Sequence, residues 1–279
     1  MTKLRDRLPS IALAVAATVL SAAAGHAQGL VSVPETRPGF LKGYLTREML
    51  PDSAGLLPPP PALGSAGLTL DLEVARAALS MRDSARWTLA AMDADLTFPN
   101  AAGTFSCALG APVTEQDTPH LYQMLRRVLA DASYATSAAK AKYQRARPFA
   151  LDGQPICTPN IDKAIRTEPS YPSAHTSIGW AWALVLAEAS PNQSDAILAR
   201  GLAFGQSRLV CNLHWESDVI EGRTIGAATV ARLHADPAFL ADLAAAKDEL
   251  AAVRARQLPP QRNRAFEAEA LAQTLPQAP

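Results

Sequence analysis

The chain has 279 residues, 48% of them hydrophobic and 19% charged, and its 26 basic residues balance its 26 acidic ones. That balance leaves no electrostatic footprint for nucleic acid or an anionic membrane, and the apolar fraction excludes disorder over most of the length. Aromatics are only 6%, alanine is abundant and β-branched runs are scarce, which favours close-packed helices over sheet. A mostly α-helical domain is expected.

Lys3, Arg5 and Arg7 precede an apolar run from Ile11 to Ala24, and Gly25 and Ala27 supply the small residues before a cut. This is the three-part layout of a secretory signal peptide over residues 1–27. At about 14 residues the run is shorter than the roughly 20 a spanning helix needs. Cleavage removes three basic residues and one acidic one, leaving a net charge near −2. No cysteine adjoins the cut, so no lipid anchor is expected. Export exposes Cys107, Cys157 and Cys211 to an oxidising compartment, where an odd count allows one internal bridge at most. Cys107 and Cys157 lie in loop-like sequence and are the favoured pair, with Cys211 read as a buried thiol in an apolar stretch.

Residues 28–70 carry Pro34, Pro38, Pro51 and the run Pro58 to Pro61, and read as an extended arm over the surface. The helical domain is expected over residues 71–257. Good helix formers run from Asp71 to about Asp95, and a loop follows through Pro112. Asp117-Thr118 before Pro119 starts a helix with Leu121, Leu125, Val128, Ala132 and Ala135 on one face, running to about Arg145 and ending before Pro148. A second loop leads to Tyr171-Pro172-Ser173. The segment Ile178 to Ala189 is apolar on nearly all sides and reads as a helix buried at the domain centre. Three further helices are expected from Pro191 to about Ser207, from His214 to about His234 with Gly222 and Gly226 free for close contacts, and from Ala238 to about Gln257. Residues 258–279, rich in Pro, Gln and Ala, read as a loose tail.

Basic residues crowd one stretch, Lys140, Lys142, Arg145 and Arg147, and Arg208 lies close in sequence to His214 and Asp218. A charged helix end is ordinarily a solvated face, but the order of residues is informative. Lys140 is followed after six residues by Arg147-Pro148, then comes Pro172-Ser173-Ala174-His175, then Ser207-Arg208, five residues, His214, three residues, Asp218. One Lys and two Arg suit a phosphate dianion, since each guanidinium fork can bind two oxygens. His214 and Asp218, four apart, share a helix face, so the carboxylate can fix one imidazole nitrogen and leave the other as a nucleophile. At this spacing a surface pair or a metal site is the commoner outcome. His175 follows Pro-Ser at the start of the buried helix, where free N–H groups favour an anion; a capping turn is the ordinary alternative.

Together these segments resemble the three-part signature of the type 2 phosphatidic acid phosphatase superfamily. Within it the chain looks most like the secreted class A bacterial nonspecific acid phosphatases. That resemblance extends from Leu56-Leu57-Pro58 through Gly110-Ala111-Pro112, Arg147-Pro148-Phe149-Ala150, Ser170-Tyr171-Pro172-Ser173 and Gly179-Trp180-Ala181 to Asp236-Pro237-Ala238-Phe239. It implies an all-α, compact single-domain helical bundle of the vanadium haloperoxidase type. The implied protein is a periplasmic enzyme that hydrolyses phosphate monoesters, with phosphotransferase side activity toward alcohols and a homo-oligomeric state. It also implies that Lys140, Arg147, Arg208, Ser173 and the N–H of Ala174 hold the phosphoryl oxygens. His214 would then attack phosphorus, oriented by Asp218, and His175 would protonate the leaving group. No metal or cofactor, no nucleic acid, and no membrane after signal removal is implied.

Two departures from the family pattern stand out. Gly of the second motif is Ala174 here, costly if the backbone needs positive φ or if phosphate approaches that face closely. Asn212 replaces a frequent Gly just before the nucleophile, and Asn tolerates a left-handed turn well. The two imidazoles must begin in opposite protonation states, so a bell-shaped profile with its maximum on the acid side is expected. A vanadate-dependent haloperoxidase shares the cradle, but such enzymes are typically much larger. A membrane lipid phosphatase would need apolar spans of about 20 residues, and a phosphate-binding protein weakened by Ala174 would be expected to lose His175, His214 or Asp218.

Overall fold

A computed structural model describes residues 29–275; the signal peptide read at residues 1–27 lies outside the described residues. The arm opens with a hairpin, β1 (Glu35–Arg37) antiparallel to β2 (Phe40–Leu41), turned at Gly39 with φ 82°. The arm is more than a surface strap. Tyr44 and Leu45 enter the main core, and their backbone N–H groups donate to Asp131 at 2.8 and 3.1 Å. A short turn of helix, α1 (Ser53–Leu56), precedes the proline run, and Leu57 is buried beside Tyr171.

Helix α2 (Ala66–Leu79) begins inside the expected arm because Ser65 caps it, its Oγ accepting from Leu68 N at 3.2 Å. The single helix expected to Asp95 is broken: Asp83 has φ 63°, and Ser84 caps a new helix, α3 (Ala85–Asp93). Within the expected loop lie a 3₁₀ turn, Asn100–Phe105, and α4 (Ser106–Leu109). The helix begun at Pro119 divides into α5 (Pro119–Tyr134) and α6 (Ser137–Tyr143), and Gln144 ends α6 in the left-handed region at φ 46°. Short helices α7 (Pro148–Asp152) and α8 (Asp162–Ile165) punctuate the second loop.

Four long helices follow: α9 (Ala174–Ala189), α10 (Ser194–Val210), α11 (Glu216–Leu233) and α12 (Pro237–Ala255). As its all-round apolar sequence predicts, α9 is the central element, packed against α5, α10 and α11. The α9–α11 contact needs glycine. A Cβ on Gly222 would lie 2.6 Å from Ser173 O, and one on Gly226 would lie 2.6 Å from Ser177 O. This close crossing brings the N-terminal ends of the two helices together, which places the site. Among the described residues no helix is long and apolar enough to cross a membrane.

Two expectations are corrected. The tail holds a helix, α13 (Arg264–Ala272), packed against α3 with Glu267 and Ala270 buried. Asn263 caps it, accepting from Ala265 N and Phe266 N at 3.0 and 3.1 Å, a start signal hidden in a Pro/Gln-rich composition. The disulfide joins Cys157 to Cys211, Cα atoms 4.7 Å apart, and Cys107 is the free thiol. The favoured Cys107–Cys157 pairing fails because Cys107 belongs to α4, beside Arg262, whereas Cys211 ends α10 against the segment that carries Ile156 and Cys157. Loop character predicted accessibility; the fold decided proximity.

Candidate active site

The residues singled out from sequence come from four places in the chain and converge. Lys140 lies on α6 and Arg147 immediately precedes α7. Ser173 is the N-cap of α9, with Ala174 and His175 as its first residues. Arg208 is in the last turn of α10, His214 in the connecting turn, and Asp218 in the first turn of α11. That connecting turn is held by Asn212 at φ 58°, the left-handed conformation expected of it.

The imidazole of His214 is buried, and each of its nitrogens has a distinct partner. Nδ1 lies 3.2 Å from Asp218 Oδ2, and Nε2 lies 3.0 Å from Arg147 Nη1. Since a guanidinium only donates, Nε2 must accept, so the proton sits on Nδ1 and is donated to Asp218. The lone pair of Nε2 therefore points among the cations. Arg147 is fixed in turn, its Nε donating to Glu168 O at 3.0 Å and its Nη1 to Leu213 O at 3.1 Å. Lys140 Nζ donates to Pro169 O at 2.6 Å, and Ser173 N donates to the backbone O of Asp218 at 2.9 Å, tying α9 to α11.

Electrostatically this is a concentrated, buried positive field. Burial first, then Arg147, pushes Lys140 down to about 7. The same two causes push Arg208 down to about 9, and its buried Nε and Nη1 have no hydrogen-bond partner among the described residues. Unpaired buried guanidinium N–H groups are costly, and an oxyanion is the group that would satisfy them. Burial and the cations Arg147, Lys140 and Arg208 hold His214 well below its ordinary value, in the neutral form. His175 is held down too, by burial and Arg208; its Nε2 is 3.1 Å from Ala94 O, which leaves Nδ1 as the second nitrogen. Both imidazoles are thus pushed toward the neutral form in the free protein, whereas the sequence pattern predicts opposite states.

Ala174 begins α9 and is not among the residues with positive φ, so its methyl group brings no backbone strain. Sequence reasoning missed the supports of Asp218. Arg145 Nη1 donates to Asp218 Oδ1 at 2.7 Å, and Trp215 N donates to Oδ2 at 2.9 Å. Arg145 stands in the basic cluster, a signal that could have found it; Asp71, its other partner, carries no local signal. A cavity of about 830 Å³ lined by Val31, Tyr44, Ala241 and Asp242 contains none of these residues. Among the described residues no three His, Cys, Asp or Glu side chains converge as metal ligands would.

Comparison with known proteins gives the family. Residues 125–240 match the PAP2 superfamily, a stretch that runs from within α5 past the start of α12 and includes every site residue named above apart from Asp71. The chain is 43% identical over 212 residues to the non-specific acid phosphatase of Providencia stuartii, covering 76% of this chain and 86% of that protein. It is 42% identical over 195 residues to the non-specific acid phosphatase of Salmonella typhimurium, covering 70% and 78%. It is 38% identical over 198 residues to the acid phosphatase of Zymomonas mobilis, covering 71% and 75%. The chain belongs to the PAP2 superfamily and, within it, to the non-specific acid phosphatases.

Proposed function

We propose that this acid phosphatase hydrolyses phosphate monoesters through a phosphohistidine at His214. The observation that carries the reading is the hydrogen-bond pair on that imidazole: Nδ1–H held by Asp218, and Nε2 directed at Arg147 beside the unpaired donors of Arg208. A bound phosphoryl group takes over the Arg147 donor and frees the Nε2 lone pair. Lys140, Arg147 and Arg208 hold its oxygens, with Ser173 and the Ala174 N–H at the start of α9 completing the cradle. Nε2 then forms the N–P bond as the P–O ester bond breaks, and Asp218 stabilises the charge that develops on the ring.

His175 supplies the proton to the departing alkoxide. Its charged form is favoured only once the phosphate dianion offsets Arg208 and Arg147, so binding and protonation are coupled. Water next attacks phosphorus, the N–P bond breaks, inorganic phosphate leaves, and the proton released from water returns to His175. An alcohol in place of water yields a new ester, which is the phosphotransferase side activity. Nothing in these steps calls on a metal, because three cations already neutralise the transferred group. The amino-terminal signal pattern supports export to the periplasm, and the family supports a homo-oligomer.

The test is turnover of an aryl phosphate at about pH 5 to 6 with chelator present, beside His214→Ala and Ala174→Gly. Turnover that survives chelator and disappears in His214→Ala is expected. Persistent activity in His214→Ala would remove the proposed nucleophile, and activity seen only in Ala174→Gly would mean that the methyl group has detuned an otherwise complete site.

A further inference from the structure

Arg145 is part of the basic cluster in the sequence, yet the phosphoryl cradle makes no use of it. Its side chain is only 11% exposed and both of its terminal nitrogens are engaged elsewhere. Nη1 donates to Asp218 Oδ1 and to Ser217 Oγ, each at 2.7 Å, and Nη2 donates to Asp71 Oδ2 at 2.6 Å. Asp71, on α2, is itself 1% exposed. It accepts from Ser217 N at 2.8 Å and from Ser217 Oγ at 2.7 Å. One guanidinium thus joins two buried carboxylates that lie far apart in sequence, and its planar fork sets the direction of both.

The cations that act on His214 are Lys140 from α6, Arg147 beside α7 and Arg208 from α10, with His175 from α9 nearby. Arg145 acts instead on Asp218, where burial raises the carboxyl and Arg145 is the leading opposing influence, with the Trp215 N–H next and Lys140 behind them. A fully buried carboxylate needs such a partner to stay ionised. If Asp218 took up a proton it would no longer accept from His214 Nδ1–H, and the tautomer that exposes Nε2 would lose its support.

We propose that Arg145, anchored by Asp71 and Ser217, is a positioning residue that keeps Asp218 ionised and aimed at His214, and that it holds no part of the substrate. The inference rests on His214 being the nucleophile of the proposed reaction. It separates two arginines two residues apart: Arg147 meets the phosphoryl group, and Arg145 works one step behind it.

The test compares Arg145→Gln, Ser217→Ala and Arg147→Lys with wild type. Arg145→Gln is expected to lower kcat by about a hundredfold while inhibition by inorganic phosphate stays within about threefold, the pattern of a lost transition-state contribution. Removing Arg145 takes away the leading influence that holds the Asp218 carboxyl down, so Asp218 takes up its proton at higher pH and the acid limb of kcat/KM should move up by about one pH unit. Arg147→Lys should do the reverse, weakening phosphate inhibition strongly. Ser217→Ala, which keeps both ion pairs and loses one anchor, should reproduce the limb shift in smaller form if Arg145→Gln does not fold.

A loss of phosphate inhibition of tenfold or more in Arg145→Gln would overturn the proposal by placing Arg145 in the cradle. An unmoved acid limb in both folded variants would leave the residue purely structural. If wild type turns over no ester, the phosphatase reading fails by itself, and ring-nitrogen NMR of His214 still decides the clamp. A proton on Nδ1 in wild type and a mixed tautomer in Arg145→Gln supports it, and the same tautomer in both refutes it.

Discussion

Helix α10 contributes an arginine to each of two buried clusters, Arg200 to one and Arg208 to the other, and they differ in one respect. Around Asp93, the guanidinium of Arg200 lies at 2.5 Å and that of Arg262 at 3.0 Å. Ser207 donates to the same carboxylate at 2.7 Å, and Glu267 of α13 approaches Arg200 at 3.5 Å. Burial works against the charge of Arg200, but Asp93 and Glu267 together raise it above its ordinary value. One residue beyond Ser207, Arg208 makes no ion pair among the described residues and is pushed down to about 9. Both Arg200 and Arg208 keep some buried N–H groups without a hydrogen bond, so the carboxylate is what separates them. Similar residues at similar depth have their charge compensated from within the chain in one place and left open in the other. The compensated cluster is architecture, fastening α13 to α3 and α10; the open one has the properties of an anion site.

This contrast predicts opposite mutational outcomes. The largest effect is on activity: His214→Ala should lower kcat by about a thousandfold or more, with folding intact, measured on an aryl phosphate beside a thermal melt. Arg208→Met should lower kcat/KM by about a hundredfold yet leave Tm unchanged or raised, because it removes an uncompensated buried cation. Asp93→Asn should behave in the reverse sense, destabilising by about 3–5 kcal/mol in denaturant melts because it strands Arg200 and Arg262. If Arg208→Met proves the more destabilising of the two, the distinction between the clusters collapses.

Ligand binding sharpens the same comparison. Inorganic phosphate at about a hundred times its Kd should stabilise wild type by about 2.7 kcal/mol, and the shift should vanish in Arg208→Met while surviving in Asp93→Asn. The smallest effect concerns pH. Lys140 sits near 7 in the free protein, so its charge, and with it phosphate capture, is present below that value and lost as pH rises through it. Lys140→Arg should carry the alkaline limb of kcat/KM to higher pH; an unmoved limb would assign it to His175.

Much of this is legible in the sequence alone. The all-round apolar run predicts the central α9, Gly222 and Gly226 predict the close crossing with α11, and Asn212 predicts a left-handed turn, since each is a local requirement written in local residue types. The spacing of three motifs likewise selects residues that the fold gathers at the ends of α6, α9, α10 and α11. What the sequence hides are partners chosen by tertiary proximity. Cys157 pairs with Cys211 because α10 ends beside the Ile156 loop, Asp71 meets Arg145 from 74 residues away in sequence, and Glu267 finds Arg200 only once α13 docks. Helix breaks at Asp83 and Ala135 escape notice because helix-forming residues flank them on both sides, so propensity alone carries through.

The most direct test is to quench a turning-over reaction in base with chelator present and locate the phosphate by mass spectrometry. A phosphoramidate on His214 is expected, formed in a burst before free phosphate appears and absent from His214→Ala. Steady turnover with no base-stable phosphate on His214, or with the label on another residue, would contradict it.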